Sequence, residues 1–81
     1  MTNDEKLKSI VSAILGVSVT DVHDALSSTD ADTWDSLNHI NLVTAVEEEF
    51  GVRFPTERMD QMKSVALIKA ELGALGIQFD A

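Results

Sequence analysis

Residues 2 to 16 hold a complete set of helix signals. Leu7, Ile10, Val11, Ile14 and Leu15 fall at i, i+3, i+4, i+7 and i+8, one stripe of a 3.6-residue period. Thr2 and Glu5 have the T-x-x-E spacing of a capping box. Gly16 can take the left-handed conformation that ends a helix. The spacing predicts a helix over Asn3–Leu15. No later segment alternates as a strand does, so this stripe must be covered by other helices.

Three more helical segments answer it. Asp35 is a good N-cap for a helix over Ser36–Phe50. Leu37, Ile40, Val43, Val46 and Phe50 form its expected core stripe, and Gly51 its stop. Pro55 or Thr56 opens a short third helix, which reaches about Gln61 and has Met59 and Met62 on its apolar side. Ser64 is the expected N-cap of the fourth, which runs to about Leu72 with Val65, Ile68 and Leu72 on one face and Gly73 and Gly76 ending it. The tail IQFDA is expected to fray or dock loosely. The fold class is therefore all-α, a four-helix bundle with a short third helix, as a single domain over residues 1–81.

Residues 17 to 35 form an unusually long first connection. A single helical turn fits near Thr20–Leu26, and SSTDAD is turn-forming because short oxygen-bearing side chains bond their own backbone. Loops this long in small domains are either functional or disordered. Val17, Val19, Val22 and Leu26 favour an ordered loop packed across the helices.

Charge narrows the partners. Fourteen acids against six bases give a net charge of −8, which disfavours nucleic acid and anionic membranes. None of the bases lies between residues 9 and 52, while eight acids do: Asp21, Asp24, Asp30, Asp32, Asp35, Glu47, Glu48 and Glu49. That stretch is either a solvated face or a docking surface for basic proteins. No run approaches the roughly 20 apolar residues of a membrane span. The N-terminus MTNDEKLKSI lacks a secretory pattern. A cytoplasmic, monomeric protein is expected, and the absence of cysteine agrees with that compartment.

The segment DTWDSLNHINLV offers three kinds of chemistry. Ser36 and His39 are helix neighbours, as a nucleophile and its base would be. A hydrolase also needs an orienting acid, an oxyanion hole and a shaped pocket, and no G-x-S-x-G elbow is present. His39 and His23 read as polar surface residues. Asp30, Asp32 and Asn41 suggest a calcium loop, but Trp34, Asp35 and Asn41 stand where its oxygen ligand, glycine and bidentate glutamate are required. No metal site is expected. The third chemistry is attachment. A helix start favours a phosphate, and a serine there could carry a phosphodiester outside the core. Asp35 is placed to help hold magnesium during the transfer, and Leu37 to anchor the helix start in the core. Plain N-capping fits the same residues.

DSL at 35–37, followed at helical spacing by EEEFG at 47–51 and later by SVALIK at 64–69, resembles the acyl carrier proteins over nearly the whole chain. The resemblance implies 4′-phosphopantetheine from coenzyme A on Ser36, within the motif Asp35-Ser36-Leu37. It implies a non-catalytic protein that carries acyl groups as thioesters on the arm's thiol. Partners would be a phosphopantetheinyl transferase and acyl-loading and acyl-processing enzymes with basic patches. Docking would fall on helix two: Asn38, His39, Asn41, Glu47 and Glu48. Ile40, Val43, Val46, Phe50 and Met62 would line any chamber for a chain slipping between the helices, or form ordinary core. Asn38 and Asn41 stand where many fatty-acid carriers have acids, and His39 and Trp34 are unusual. These departures suggest a specialised fatty-acid, polyketide or other secondary-metabolite pathway. Peptidyl carriers are less similar, because they usually have Gly-His or Gly-Asp before the serine. An aminoacyl or peptidyl carrier, or an acidic interaction module without a prosthetic group, is the alternative.

Overall fold

The computed structural model describes residues 2–79. Helix α1 spans Asn3–Leu15, and both bonds of its capping box form between Thr2 and Glu5. Gly16 ends it at φ 69°, in the left-handed region. Helix α2 spans Ser36–Phe50 and stops at Gly51 in the same conformation. Helix α3 is a single turn, Thr56–Met59, shorter than its expected extent to Gln61. Helix α4 runs Val65–Ala74. It passes through Gly73, where a stop was expected, and Gly76 takes the positive φ two residues beyond its end.

The core is one cluster drawn from every part of the chain. Leu7, Val11 and Leu15 come from α1, Leu42, Val43 and Val46 from α2, and Val65, Ile68 and Leu72 from α4. The long connection adds Val22, Leu26, Ala31 and Trp34. The expected turn near Thr20–Leu26 is a 3₁₀ turn at Val19–Asp21.

The connection is ordered because it supplies backbone partners as well as apolar side chains. Ser27 and Ser64 form an isolated antiparallel bridge. The Leu26 carbonyl accepts from Val65 N–H at 2.9 Å, and the Asp24 carbonyl from Ala66 N–H at 3.0 Å. Ser64 Oγ accepts from Leu67 N–H. The first three amides of α4 are thus satisfied, two of them by the connection.

The apolar stripe of α2 lies on a different line from the expected one. Val43 and Val46 are buried as predicted, but Leu37 is 69% exposed and Ile40 63%. Leu37 therefore does not anchor the helix start in the core. His39 and Leu42 take the inward positions. Apolar residues on more than one side of α2 permit several helical stripes. The face that meets α1 and Trp34 sets the one used.

The tail is tied more firmly than expected as far as it is described. Ile77 and Phe79 pack on the core, and Phe79 meets Phe50 with ring centroids 6.2 Å apart. Asn3 Nδ2 donates to the Gln78 carbonyl at 2.8 Å. The last two residues of IQFDA lie outside the described residues.

Candidate functional site

The start of α2 separates the roles of Asp35 and Ser36. Asp35 is the N-cap, and its Oδ1 accepts from the Asn38 amide at 2.9 Å. Asn38 Nδ2 donates to the Thr33 carbonyl at 2.8 Å, which holds the loop against the same turn. Capping therefore falls to Asp35. Among the described residues the hydroxyl of exposed Ser36 has no hydrogen-bond partner. It lies at the positive end of a four-turn helix.

His39 corrects its surface assignment. It is only 8% exposed, with both ring nitrogens engaged. Trp34 Nε1–H donates to His39 Nδ1 at 3.0 Å. An indole nitrogen can only donate, so Nδ1 must be the acceptor and the ring proton sits on Nε2. Nε2–H then donates to the main-chain carbonyl of Met59. The Trp34 and His39 rings also stack, with centroids 6.3 Å apart and planes inclined by 24°. Neither nitrogen is free to take a proton from Ser36, so the nucleophile–base pairing does not form.

A surface cleft of about 400 Å³ opens beside Ser36. Trp34, Asp35, Ser36, His39 and Ile40 form one wall, and Ser28, Asp60 and Lys63 the other. The second wall was not foreseen from sequence. Asp60 and Lys63 lie far from the motif along the chain, and the Ser28 N–H bond to the Lys63 carbonyl joins their segment to the connection just before the motif. An exposed hydroxyl without an internal partner, a helix start and a lysine on one cleft suit a phosphate-bearing group.

The expected docking residues separate by position. Asn41 and Glu48 are exposed on α2. Asn38 is half-buried and committed to the loop. Glu47 is also half-buried, and its Oε2 accepts from the Phe54 amide at 2.7 Å. His39 is withdrawn from any surface contact. Leu37 and Ile40 present apolar area beside Ser36 instead.

Comparison with known proteins matches this geometry to a chemistry. The family described as "Phosphopantetheine attachment site" matches residues 5–72, a span that includes Ser36. The chain is 37% identical over 59 residues to an acyl carrier protein of Acidothermus cellulolyticus, covering 73% of this chain and 70% of that one. It is 36% identical over 61 residues to an acyl carrier protein of Clostridium acetobutylicum, covering 75% and 79%. It is 39% identical over 61 residues to one of Thermosynechococcus vestitus, covering 75% of each. The chain belongs to the acyl carrier protein family, whose members are non-catalytic carriers of acyl groups on phosphopantetheine.

Proposed function

We propose that Ser36 is the attachment residue and that this domain serves a specialised acyl pathway in the cytoplasm. The observation that carries the reading is the division of labour at the helix start. Asp35 caps the helix, and the adjacent hydroxyl is exposed with no structural bond to lose. Attachment at Ser36 therefore leaves the fold intact. In the transfer, the Ser36 oxygen bonds to the phosphorus bearing the pantetheine, the hydroxyl proton leaves, and the 3′,5′-ADP half of coenzyme A departs. The group then supplies a thiol, which the cysteine-free chain lacks. Lys63, across the cleft, places a positive charge near the resulting phosphodiester.

Partners meet the exposed strip of Leu37, Ile40, Asn41 and Glu48. Near Ser36 this strip is apolar and uncharged, and it turns acidic only further along α2. Asn38 and Asn41 are neutral, so partner choice rests on shape and hydrogen bonding there more than on charge. This pattern supports dedicated loading and processing enzymes over the general fatty-acid set.

Mass spectrometry tests the attachment. Incubation with coenzyme A, magnesium and a broad phosphopantetheinyl transferase should add one phosphopantetheine, and Ser36→Ala should abolish the gain. An unmodified wild-type mass, beside a control carrier that is modified in the same tube, would overturn the assignment.

A further inference from the structure

Taking Ser36 as the attachment residue, we propose that Trp34 and His39 are positioning residues for phosphopantetheine transfer. Their side chains close a staple across the first turn of α2, which fixes the Ser36 backbone and so the place from which its hydroxyl reacts. Trp34 is tied on both sides. Behind it, its main-chain N–H donates to the Ala31 carbonyl at 3.0 Å. Ahead of it, the indole N–H donates to His39 Nδ1, also at 3.0 Å, and the two rings stack. His39 is held in turn. Its amide donates to the Asp35 carbonyl at 2.8 Å, and its Nε2–H donates to the Met59 carbonyl, which fixes the tautomer able to accept from Trp34. The Asn38 side chain and amide bond back to Thr33 and Asp35 over the same gap. Thr33, Trp34, Asp35, Asn38 and His39 are thus bonded to one another around exposed Ser36 and Leu37.

A helix start is where a helix ordinarily frays, because its first amides lack intrahelical partners. The Ser36 oxygen must approach phosphorus along a defined line, so a frayed start has to be ordered on the transferase before reaction. The staple does that ordering when the chain folds. Trp34 is only 4% exposed and His39 8%. Neither acts by gripping coenzyme A or the transferase. Their effect on transfer runs through the backbone of the turn they enclose.

Transferase kinetics test the staple, with coenzyme A, magnesium and a broad phosphopantetheinyl transferase, at a temperature where circular dichroism shows every variant folded. Trp34→Phe keeps an aromatic ring and deletes the indole donor. His39→Leu deletes the acceptor and keeps an apolar side chain in its space. Each should lower kcat/KM for the carrier by about 10-fold, short of the roughly 100-fold that a 1 Å misplacement can cost. The KM for coenzyme A should not move. The double variant should lose no more than the worse single one, because the two side chains act through one bond. Val11→Ala truncates the core on α1, far from the motif, and should melt lower than wild type yet keep its kcat/KM. A wild-type kcat/KM in either single variant would overturn the staple. So would losses that multiply in the double variant, or an equal loss in Val11→Ala. A wild type that gains no mass beside a modified control carrier would instead remove the attachment reading, and the staple's role with it.

Discussion

Lys69 reaches two carboxylates from different parts of the chain. Its Nζ lies 2.6 Å from Asp4 Oδ1 on α1 and 2.7 Å from Asp24 Oδ1 in the connection. The same ammonium sits 5.6 Å from the centroid of the Phe79 ring. The neighbouring Lys69 ammonium is the main cause that holds the Asp4 carboxyl below its ordinary 3.8; partial burial opposes it and Lys8 assists. Burial works against the Lys69 charge, but the bonds to Asp24 and Asp4 outweigh it and raise the ammonium above 10.5. Lys69→Met should cost on the order of 1–2 kcal/mol in urea unfolding, since these are charge-assisted bonds that remain partly solvated. The sign of the pH dependence follows from the two shifts. A depressed acid contributes above its unfolded pKa and loses that contribution as pH falls through the folded one. A raised base contributes below its unfolded pKa and loses it as pH rises through the folded one. The penalty should therefore be flat between about pH 5 and 9 and shrink outside that window. A penalty largest at acid pH would contradict the assignment.

Helix α2 shows how one element serves two surfaces. Leu42 is fully buried, while Leu37 one and a half turns earlier is largely exposed. Leu42→Ala should cost about 2–5 kcal/mol, the range for a truncated core leucine. Leu37→Ala should stay within about 0.5 kcal/mol, because little of its area leaves water on folding. Chemical denaturation of both variants checks this, and a large loss at Leu37 would place the helix the other way round. The boundaries of α1 and α2 were readable from sequence because caps, periodicity and glycine stops are local signals. The facing of α2 was not. Its apolar residues occupy more than one stripe, and the buried side includes a histidine, which hydropathy counts as polar. A buried His39 needs partners, and these come from Trp34 five residues back and Met59 twenty residues on. The Met59 partner is a main-chain carbonyl, which leaves no mark in a sequence.

For the molecule as a whole, the excess of negative charge acts on stability and association in opposite directions. Eight of the fourteen acids lie in a stretch without a base. Asp24 pairs with Lys69, but repulsion among the others weakens the folded state, and screening it should raise the melting temperature by a few degrees between about 20 mM and 0.5 M NaCl. Where the acidic part of α2 meets a basic partner, the same screening should raise the KM of the phosphopantetheinyl transferase for this carrier. Calorimetry and transferase kinetics across one salt series test both effects. A KM that stays level would argue that the apolar strip, rather than charge, governs encounter.

The chain alone settles a great deal: four helical segments, the bounds of the two longest, the cap at Asp35 and the motif around Ser36 are all written in residues within a few positions of one another. Short-range hydrogen bonds and helical periodicity act over that same distance. The packed structure was needed for the outward turn of Leu37 and Ile40, the burial of His39 behind Trp34, and the wall of Ser28, Asp60 and Lys63 facing Ser36. Each of these depends on segments far apart in the chain meeting through packing and main-chain hydrogen bonds, and no local pattern encodes such a meeting.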